Sequence, residues 1–352
     1  MKHILEFDSQ ALSDFVASHD EKSFRVGQVR KWLFADRAQS FGEMSNLPKS
    51  LRGHLTESFQ IWTSKVVNHS KSEDGTEKLL LQWPDGGQVE CVLLRDGDRR
   101  SICVSSQVGC AMGCVFCASG LDGVDRNLTS GEILEQMLRL QHLLPSDERL
   151  SHIVMMGMGE PLANLNNVLA TLQQASAADG LGISSRRITI STVGIPEAID
   201  KLTELNSRYN LAVSLHAPND QLRSQLVPVN KKIGIAKILA AADSYFESCG
   251  RRLTFEYVLL AGVNDTQEQA RELASLLRKR SVLLNVIPYN PVEGLPYRTP
   301  SAKSISKFRK ILTDAGITIQ FRQRKGDQIN AACGQLRRNF RPGNEPVQIS
   351  AS

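Results

Sequence analysis

The sequence predicts an α/β protein built around a partial (βα)6 barrel, preceded by a helical domain and a short antiparallel sheet. From position 153 onwards, short apolar segments recur about every 30 to 40 residues and alternate with helical stretches, which is typical of parallel strands joined by crossover helices. The start of the chain has apolar residues at helical spacing, and turn signals follow it. These patterns divide the chain into 1–62, 63–99, 100–341 and a flexible tail at 342–352.

The N-terminal part is predicted to be a small helical accessory domain. Apolar residues such as Val26, Val29 and Leu33 recur at the spacing of one helix face. These helices are short and rich in Lys and Arg, which indicates an accessory module rather than the main core. The predicted helices are 9–17, 25–35 and 49–59.

The next part is predicted to be an antiparallel patch that leads into the barrel, because Asp-Gly turn signals separate short β-favouring segments. Glu90 alternates with Val89 and Cys91, so its side chain opposes theirs. An acidic residue within such a strand is usually solvent-facing, and position alone predicts this for Glu90. The predicted strands are 65–69, 77–83, 88–94 and 100–105.

The barrel itself is predicted from its alternating segments. A capping box from Thr129 to Glu132 begins the first helix, at 129–144. In such barrels, function is located at the C-terminal ends of the strands. The later strands are predicted at 153–156, 188–191, 211–215, 253–260, 283–287 and 317–321. The helices between them are predicted at 165–177, 196–205, 236–249, 267–280 and 304–315.

Three cysteines, Cys110, Cys114 and Cys117, follow the first barrel strand in a C-x3-C-x2-C pattern. Three thiolates at this spacing suit a cubic [4Fe–4S] cluster, which four cysteines ordinarily hold, so one iron stays open for a substrate or cofactor. Gly113 allows a tight turn, and we expect Phe116 to shield the cluster. A structural zinc site needs four ligands, and no second C-x2-C or H-x3-H follows nearby. A thioredoxin-like C-x-x-C leaves Cys110 unexplained.

Polar and glycine residues end several predicted strands, where they can converge on one ligand. Together they suit ribose, carboxylate and adenine groups, although each one alone is as typical of a turn. Cysteines outside the motif have a simpler interpretation as small buried hydrophobes, which suits Cys91 and Cys249. The small neighbours of Cys333 predict an accessible sulfur instead. The strand-end residues are Gly159, Glu160, Ser191, Ser214, Leu215, His216 and Asn290.

Composition and charge limit the function further. The formal net charge is +5, but positions 301–341 hold ten Lys or Arg and two Asp, a local charge of +8. Basic residues mixed with Phe321 and Phe340 suit a nucleic acid, although a solvated surface is an equal alternative. The start of the chain has no signal-peptide pattern, and no apolar run is long enough to cross a membrane. Seven clustered cysteines fit a reducing, cytoplasmic location.

Four segments together resemble one known family. They are 105–117, 156–162, 214–219 and 331–336. The cysteine spacing is similar to that of radical S-adenosylmethionine (SAM) enzymes, and the whole set resembles the RlmN family of dual-specificity rRNA/tRNA adenine-C2 methyltransferases. The resemblance implies a TIM-like radical SAM barrel, one [4Fe–4S] cluster and SAM. It also implies two substrates: an adenosine in the peptidyl-transferase region of 23S rRNA, and adenosine 37, just 3′ of the anticodon, in tRNAs.

The resemblance extends more weakly to the N-terminal helices, and it implies that residues 1–62 are an accessory RNA-binding domain. It also implies roles for individual residues. The motif cysteines bind the cluster, and the seven strand-end residues contact SAM. Cys333 first takes a methyl group from one SAM, and a second SAM yields a 5′-deoxyadenosyl radical that removes a hydrogen from this methyl group. The methylene radical adds to the adenine, Glu90 acts as the proton acceptor, and Cys103 attacks Cys333 to release methyladenosine and leave a disulfide.

Two other interpretations stay open at this point. A Cfr-type enzyme methylates C8 of the same adenosine, although Glu160-Pro161 and the 216–219 segment are more similar to the C2 enzyme. A non-catalytic RNA-binding protein with a structural metal is the alternative from a different class, and three thiols rather than four speak against it. We further expect a monomer, no membrane association and an electron donor such as flavodoxin or ferredoxin.

Overall fold

A computed structural model describes residues 1–251, 253–322 and 325–337. The N-terminal part is helical, as predicted, and a short parallel pair of strands joins its two ends, with Lys2 opposite Phe59. Asp8 caps the first helix by accepting a hydrogen bond from the Ala11 amide. The elements are β1 (Lys2–His3), α1 (Ser9–Ala17), α2 (Phe24–Phe34), α3 (Lys49–Ser58) and β2 (Phe59–Gln60).

The antiparallel strands follow at the predicted places. Each pairs with the next in sequence, and Val92 lies opposite Cys103 in the last pair. Paired residues in a sheet point to the same face, so Cys103 and the alternating residues Glu90 and Val92 share one face. The strands are β3 (Lys65–Lys71), β4 (Glu77–Gln82), β5 (Gln88–Asp96) and β6 (Arg99–Cys103).

The barrel region alternates strands and helices. Its elements in chain order are β7 (Gln107–Gly109), β8 (Val124–Asn127), α4 (Ser130–Gln141), β9 (His152–Met155), α5 (Leu165–Ser176), β10 (Ile188–Thr192), α6 (Pro196–Glu204), β11 (Asn210–Ser214), α7 (Asp220–Leu226), α8 (Asn230–Ile233), α9 (Ile235–Cys249), β12 (Leu253–Leu259), α10 (Gln267–Leu277), β13 (Val282–Pro288), α11 (Ala302–Asp314) and β14 (Thr318–Phe321).

One ten-stranded sheet runs through both regions in the order β14-β13-β12-β11-β10-β9-β6-β5-β4-β3. Strands β6 and β9 to β14 are parallel, and six of them are followed by a crossover helix, which confirms the predicted (βα)6 partial barrel. The C-terminal ends of the parallel strands all meet at one edge. Since this sheet crosses the predicted boundary at 99, the division into domains stays a prediction.

Two local features of the fold were not predicted from the sequence. Residues of β7 and β8 form a small antiparallel hairpin on either side of the cysteine motif. Helices α7 and α8 are short and lie between β11 and the crossover helix α9. None of these elements is long enough to show a clear hydrophobic period, so the sequence pattern alone could not predict them.

The N-terminal helices are fixed to the barrel by a buried carboxylate. Glu135, on α4, is fully buried and accepts hydrogen bonds from the backbone and hydroxyl groups of Thr63 and Ser64, at 2.6–3.0 Å. His3 lies 3.6 Å from the same carboxylate. One hydrophobic core also extends from these helices into the barrel. The two parts therefore pack as one body.

Across the described part of the chain, none of the helices combines the length and apolar character needed to cross a bilayer.

Candidate active site

The cysteine loop, residues 110–117, follows β7 at the C-terminal edge of the sheet. Gly109 and Gly113 have φ values of 80° and 66°, which glycine adopts without strain. The Cys110 amide donates to the Gly123 carbonyl at 2.8 Å, and the Val115 amide donates to the Leu226 carbonyl at 3.1 Å. The hairpin and α7 therefore hold the loop from two sides.

The three motif thiols line one cavity of about 150 Å³, which we call the cysteine cavity. Burial raises the pKa of all three thiols, that of Cys110 to about 12, and the charges of their neighbours raise them further. Three buried thiolates therefore need a cationic partner, and an iron–sulfur cluster supplies one. Among the described residues, no three His, Cys, Asp or Glu side chains are grouped closely enough to hold a single metal ion.

Glu160 and Gly159 lie in the same cavity. The Glu160 carboxylate is buried and accepts hydrogen bonds from the backbone amides of Val193 (2.7 Å) and Leu162 (3.0 Å). Burial raises the pKa of this carboxyl group. Gly159 has a φ of 99°, and a Cβ there would lie 2.6 Å from the Cβ of Gln107, so only glycine fits. A buried carboxylate beside this close backbone suits an ammonium group.

Ser191, Ser214 and His216 complete the lining on the barrel side. The His216 backbone has a φ of 60°, and its Nδ1 accepts from the Val258 amide at 3.1 Å. Burial lowers the pKa of His216 to about 3, so the ring is neutral with its proton on Nε2. Its ring meets Phe116 edge-on at 4.9 Å between centroids. Leu215 does not line the cavity, since its side chain is fully buried in the core.

Asn290 lines a second, larger cavity of about 600 Å³ inside the sheet, which we call the lumen cavity. Its Nδ2 donates to the Cys333 carbonyl at 3.2 Å. Its Oδ1 is buried and has no hydrogen-bond partner in the described part of the protein. An unsatisfied buried acceptor of this kind suits a bound ligand.

Cys333 lines both cavities and lies beside a partly buried cation. The Arg322 Nη1 donates to the Cys333 Sγ at 3.3 Å. The charge of Cys333 raises the pKa of Arg322, and the charge of Cys103 adds to this effect. Burial and then the charge of Cys333 raise the pKa of Cys103 to about 12. Both thiols are free, and the fold brings them near enough for the charge of Cys333 to affect the pKa of Cys103, although 230 positions separate them.

Glu90 is not solvent-facing, and the prediction from its position alone was wrong. The residue is 7% exposed, and its Oε1 lies 2.7 Å from the Nζ of the equally buried Lys78. Its Oε2 accepts from the Arg337 amide at 2.8 Å. Burial raises the pKa of Glu90, and Lys78 opposes the shift. Strand β5 lies between β4 and β6 in the sheet, and the face of β5 that carries Glu90 packs against the protein interior.

Long-range hydrogen bonds hold the thiol segment, residues 325–337. The Lys78 Nζ donates to the Asn330 carbonyl at 3.1 Å, and the Ser119 Oγ donates to the Leu336 carbonyl at 2.6 Å. The Ala118 amide also donates to the Gly334 carbonyl at 2.8 Å. Through these bonds the antiparallel strands and the cysteine loop together position Cys333.

Several residues of the site were not predicted as such. Arg322 belongs to the basic stretch 301–341, which was interpreted as a nucleic-acid-binding or solvated surface, but it lies partly buried against Cys333. Lys325 pairs with Asp96 at 2.9 Å, so it is not a free cation either. Lys78 and Glu256 carried no signal in the sequence. Cys91 is fully buried, as predicted, and Cys249 only partly. The basic and aromatic residues Arg324, Arg338, Phe340 and Arg341, and the predicted tail at 342–352, lie outside the described residues.

Two known protein families match different parts of this chain. Residues 2–61 match the family model of the ribosomal RNA large subunit methyltransferase N-terminal domain, and residues 104–274 match that of the radical SAM superfamily. The superfamily implies SAM and a [4Fe–4S] cluster as cofactors, and the residues of the cysteine cavity fit both.

Full-length similarities define the family more narrowly. A probable dual-specificity RNA methyltransferase RlmN from Rhodopirellula baltica is 68% identical over 96% of this chain and 91% of its own length. The similarly named protein from Carboxydothermus hydrogenoformans is 43% identical over 97% and 99%. The crystal structure of a radical SAM methyltransferase from Sphaerobacter thermophilus superposes with a TM-score of 0.93 at 40% identity, covering 96% of this chain and 99% of its own. The chain therefore belongs to the RlmN family of radical SAM methyltransferases.

Proposed function

We propose that this SAM-dependent RNA methyltransferase modifies C2 of an adenosine in the peptidyl-transferase region of 23S rRNA. We include adenosine 37, just 3′ of the anticodon, in tRNAs as a second target. The names of the relatives support an RNA substrate and a dual specificity. The observation that carries the proposal is the position of Cys333, which lines the cysteine cavity and contacts Arg322.

The cysteine cavity would hold one cluster and SAM. Cys110, Cys114 and Cys117 are the cluster ligands in this proposal. Glu160 and the Gly159 backbone would take the amino acid part of SAM, while Ser191, Ser214, His216, the Leu215 backbone and Asn290 would take the rest. When bound, these groups supply a methyl group and one-electron chemistry, and two SAM molecules are consumed per product.

Cys333 is the carrier of the methyl group in this reaction. Its thiolate accepts the methyl group and becomes a thioether, and Arg322, at 3.3 Å, stabilises the thiolate beforehand. A hydrogen atom is then transferred from the sulfur-bound carbon to the second SAM. This carbon joins C2 of the adenine and the adduct gives up one electron, so that Cys333 and the RNA are covalently linked. The detour is needed because C2 of adenine is electrophilic and does not attack SAM directly.

Glu90 and Cys103 end the reaction. Glu90 takes a proton from the adenine carbon, and Lys78 at 2.7 Å favours the ionised carboxylate that this step needs. Cys103 then attacks the sulfur of Cys333 as a thiolate. A Cys103–Cys333 disulfide forms, and the bond from sulfur to carbon breaks with its electron pair on carbon. That carbon takes up a proton to become the methyl group, and methyladenosine is released. A disulfide requires Cα atoms within about 7 Å, and the effect of the Cys333 charge on the pKa of Cys103 supports the proximity of the two residues.

The location, the oligomeric state and the electron donor are also part of the proposal. We propose a cytoplasmic monomer that receives electrons from a flavodoxin or ferredoxin, because SAM cleavage needs a one-electron reductant.

Nucleoside analysis tests the proposal directly. RNA from cells with and without this protein is digested, and we expect 2-methyladenosine only when the protein is present. Finding only 8-methyladenosine would assign the chain to the Cfr-type activity. Binding of SAM without any cleavage under a reductant would favour the non-catalytic RNA-binding protein.

A trapping experiment tests the residue roles. Cys103→Ala should still attack the adenine but should accumulate a protein–RNA adduct that survives denaturant, because the resolving thiol is gone. Cys333→Ala and the double variant should form none, and Glu90→Ala should also trap an adduct. Cys249→Ala, a half-buried cysteine far along the chain on α9, is the control and should turn over normally. Normal turnover by Cys103→Ala would contradict its assigned role.

A further inference from the structure

The lumen cavity offers a second way to reach Cys333. Five residues line both cavities: Met156, Glu256, Ile287, Arg322 and Cys333. The cysteine cavity contains the proposed cluster ligands and Glu160, so its space is taken when the cofactors are bound. A base that forms a bond with Cys333 therefore has to approach through the lumen cavity.

The entrance of the lumen cavity suits an RNA backbone. Asp96, Arg99 and Lys325 line it where it meets the surface, and the Asp96 side chain is 71% exposed there. Lys325 neutralises Asp96 at 2.9 Å, which leaves the positive charge of Arg99 at the entrance. Cations at this point can contact phosphates while a single nucleotide enters, as base-modifying enzymes require.

Inside the lumen cavity, Asn285 presents a free acceptor. Its Nδ2 donates to the Glu256 Oε2 at 2.8 Å, and its Oδ1 is buried without a partner in the described part of the protein. An ionised carboxylate can only accept, so Glu256 fixes the Asn285 amide in this orientation. Burial raises the pKa of Glu256 to about 7, and the positive charge of Arg322 opposes the shift.

We propose that the lumen cavity binds the target adenosine and that Asn285 Oδ1 accepts a hydrogen bond from its exocyclic N6 amino group. The inference rests on the proposed function and assigns a residue that selects the base. Guanine carries an acceptor oxygen at the corresponding position, and two acceptors facing each other without water are unfavourable. A site that pairs with an amino group also discriminates against a base that lacks one.

The test compares two anticodon stem-loops that differ only at the target nucleoside, adenosine or purine ribonucleoside, which lacks the N6 amino group. Methyl transfer is measured for wild type and Asn285→Ala at pH 8, where Glu256 is mostly ionised. We expect wild type to prefer adenosine about tenfold more strongly than Asn285→Ala does, the effect of one buried hydrogen bond. For each protein, the activity on adenosine is divided by the activity on purine ribonucleoside. Dividing the wild-type value by the Asn285→Ala value then cancels the different intrinsic reactivity of the two bases.

Two further variants make the outcome decisive. Glu256→Gln can also donate to Asn285, so the amide orientation is no longer fixed and the preference should fall as well. Asn210→Ala removes a matched amide that donates to the Arg186 carbonyl at 2.9 Å outside both cavities, and it should keep the wild-type ratio. Equilibrium binding of the two stem-loops to protein without SAM should follow the same order.

The possible failures are distinguishable. Suppose that wild type methylates the adenosine stem-loop. If Asn285→Ala then loses activity on both stem-loops equally, or keeps the wild-type preference, this inference is overturned while the proposed function stands. If wild type transfers no methyl group to adenosine, the proposed function is overturned and this inference with it.

Discussion

The cysteine loop and the thiol segment meet at one cavity but are built in opposite ways. In the loop, three candidate ligands lie within eight positions, 110–117, and the chain itself sets their spacing. The thiol segment has only one short helical turn, Asp327–Ile329, and partners more than two hundred positions away hold it. Local spacing can therefore define a cofactor site, whereas the position of Cys333 depends on the whole fold.

The largest effect is expected in the loop. Cys114→Ala should abolish SAM cleavage and the visible absorption of the cluster, because no other cysteine lies within the loop to replace the ligand. The measurements are anaerobic SAM cleavage assays and iron content. The control Cys249→Ala should retain SAM cleavage and the cluster absorption. A fully active Cys114→Ala protein would contradict the conclusion that the local spacing of the loop defines the cofactor site.

A large loss of stability is expected where the thiol segment meets the antiparallel strands. Lys78→Met leaves the buried Glu90 carboxylate without its ion pair and removes the bond to the Asn330 carbonyl. Breaking a buried pair costs about 3–5 kcal/mol of unfolding free energy, measured by anaerobic urea denaturation. Lys310→Met breaks an exposed pair with Asp314 instead and should hardly move the midpoint. Equal midpoints for the two variants would show that long-range contacts do not stabilise the segment.

A smaller effect is expected in the pH dependence of adduct release. Burial raises the pKa of Cys103, and it is the cause that remains in the adduct, where the Cys333 sulfur carries no charge. The neutral thiol of Cys103 therefore dominates near pH 7, and its thiolate fraction grows by up to about tenfold with each unit of pH below the pKa. Decay of the protein–RNA adduct in single-turnover experiments should therefore accelerate by up to about tenfold per unit from pH 7 to 9. A flat profile would mean that the attack does not depend on free deprotonation of Cys103.

The smallest effect concerns the direct bond between the two regions. Ser119→Ala removes the 2.6 Å hydrogen bond to the Leu336 carbonyl, a contact of the thiol segment with the chain just after the loop. We expect a loss of about 1 kcal/mol in unfolding free energy, because one buried carbonyl loses its partner. Ser9→Ala, which removes an exposed bond to Asp179, is the matched control. Equal stabilities would indicate that the two regions are held independently.

The same distinction explains what the sequence could predict. The (βα)6 repeat, the capping box at Thr129 and the cysteine motif are local or periodic, so pattern alone indicated them. The burial of Glu90 could not be predicted, since its partner Lys78 comes from the neighbouring strand and Arg337 from the far end of the described chain. The basic stretch that contains Arg322 was interpreted as a surface for the same reason. The contact between Arg322 and Cys333 forms only when the thiol segment has folded onto the barrel, and no sequence pattern indicates it.

The buried Glu135 contact has a consequence for how substrates are chosen. Through His3 and through Thr63 and Ser64, which follow the N-terminal helices, it fixes these helices relative to the barrel. An RNA bound by these helices, as the family resemblance implies, would therefore lie at a constant distance from Cys333. A fixed distance between the N-terminal helices and Cys333 would select an RNA by its shape rather than by its sequence. Two RNAs with unrelated sequences would then both be substrates whenever each places an unpaired adenosine at the same distance from the RNA helix that the protein binds.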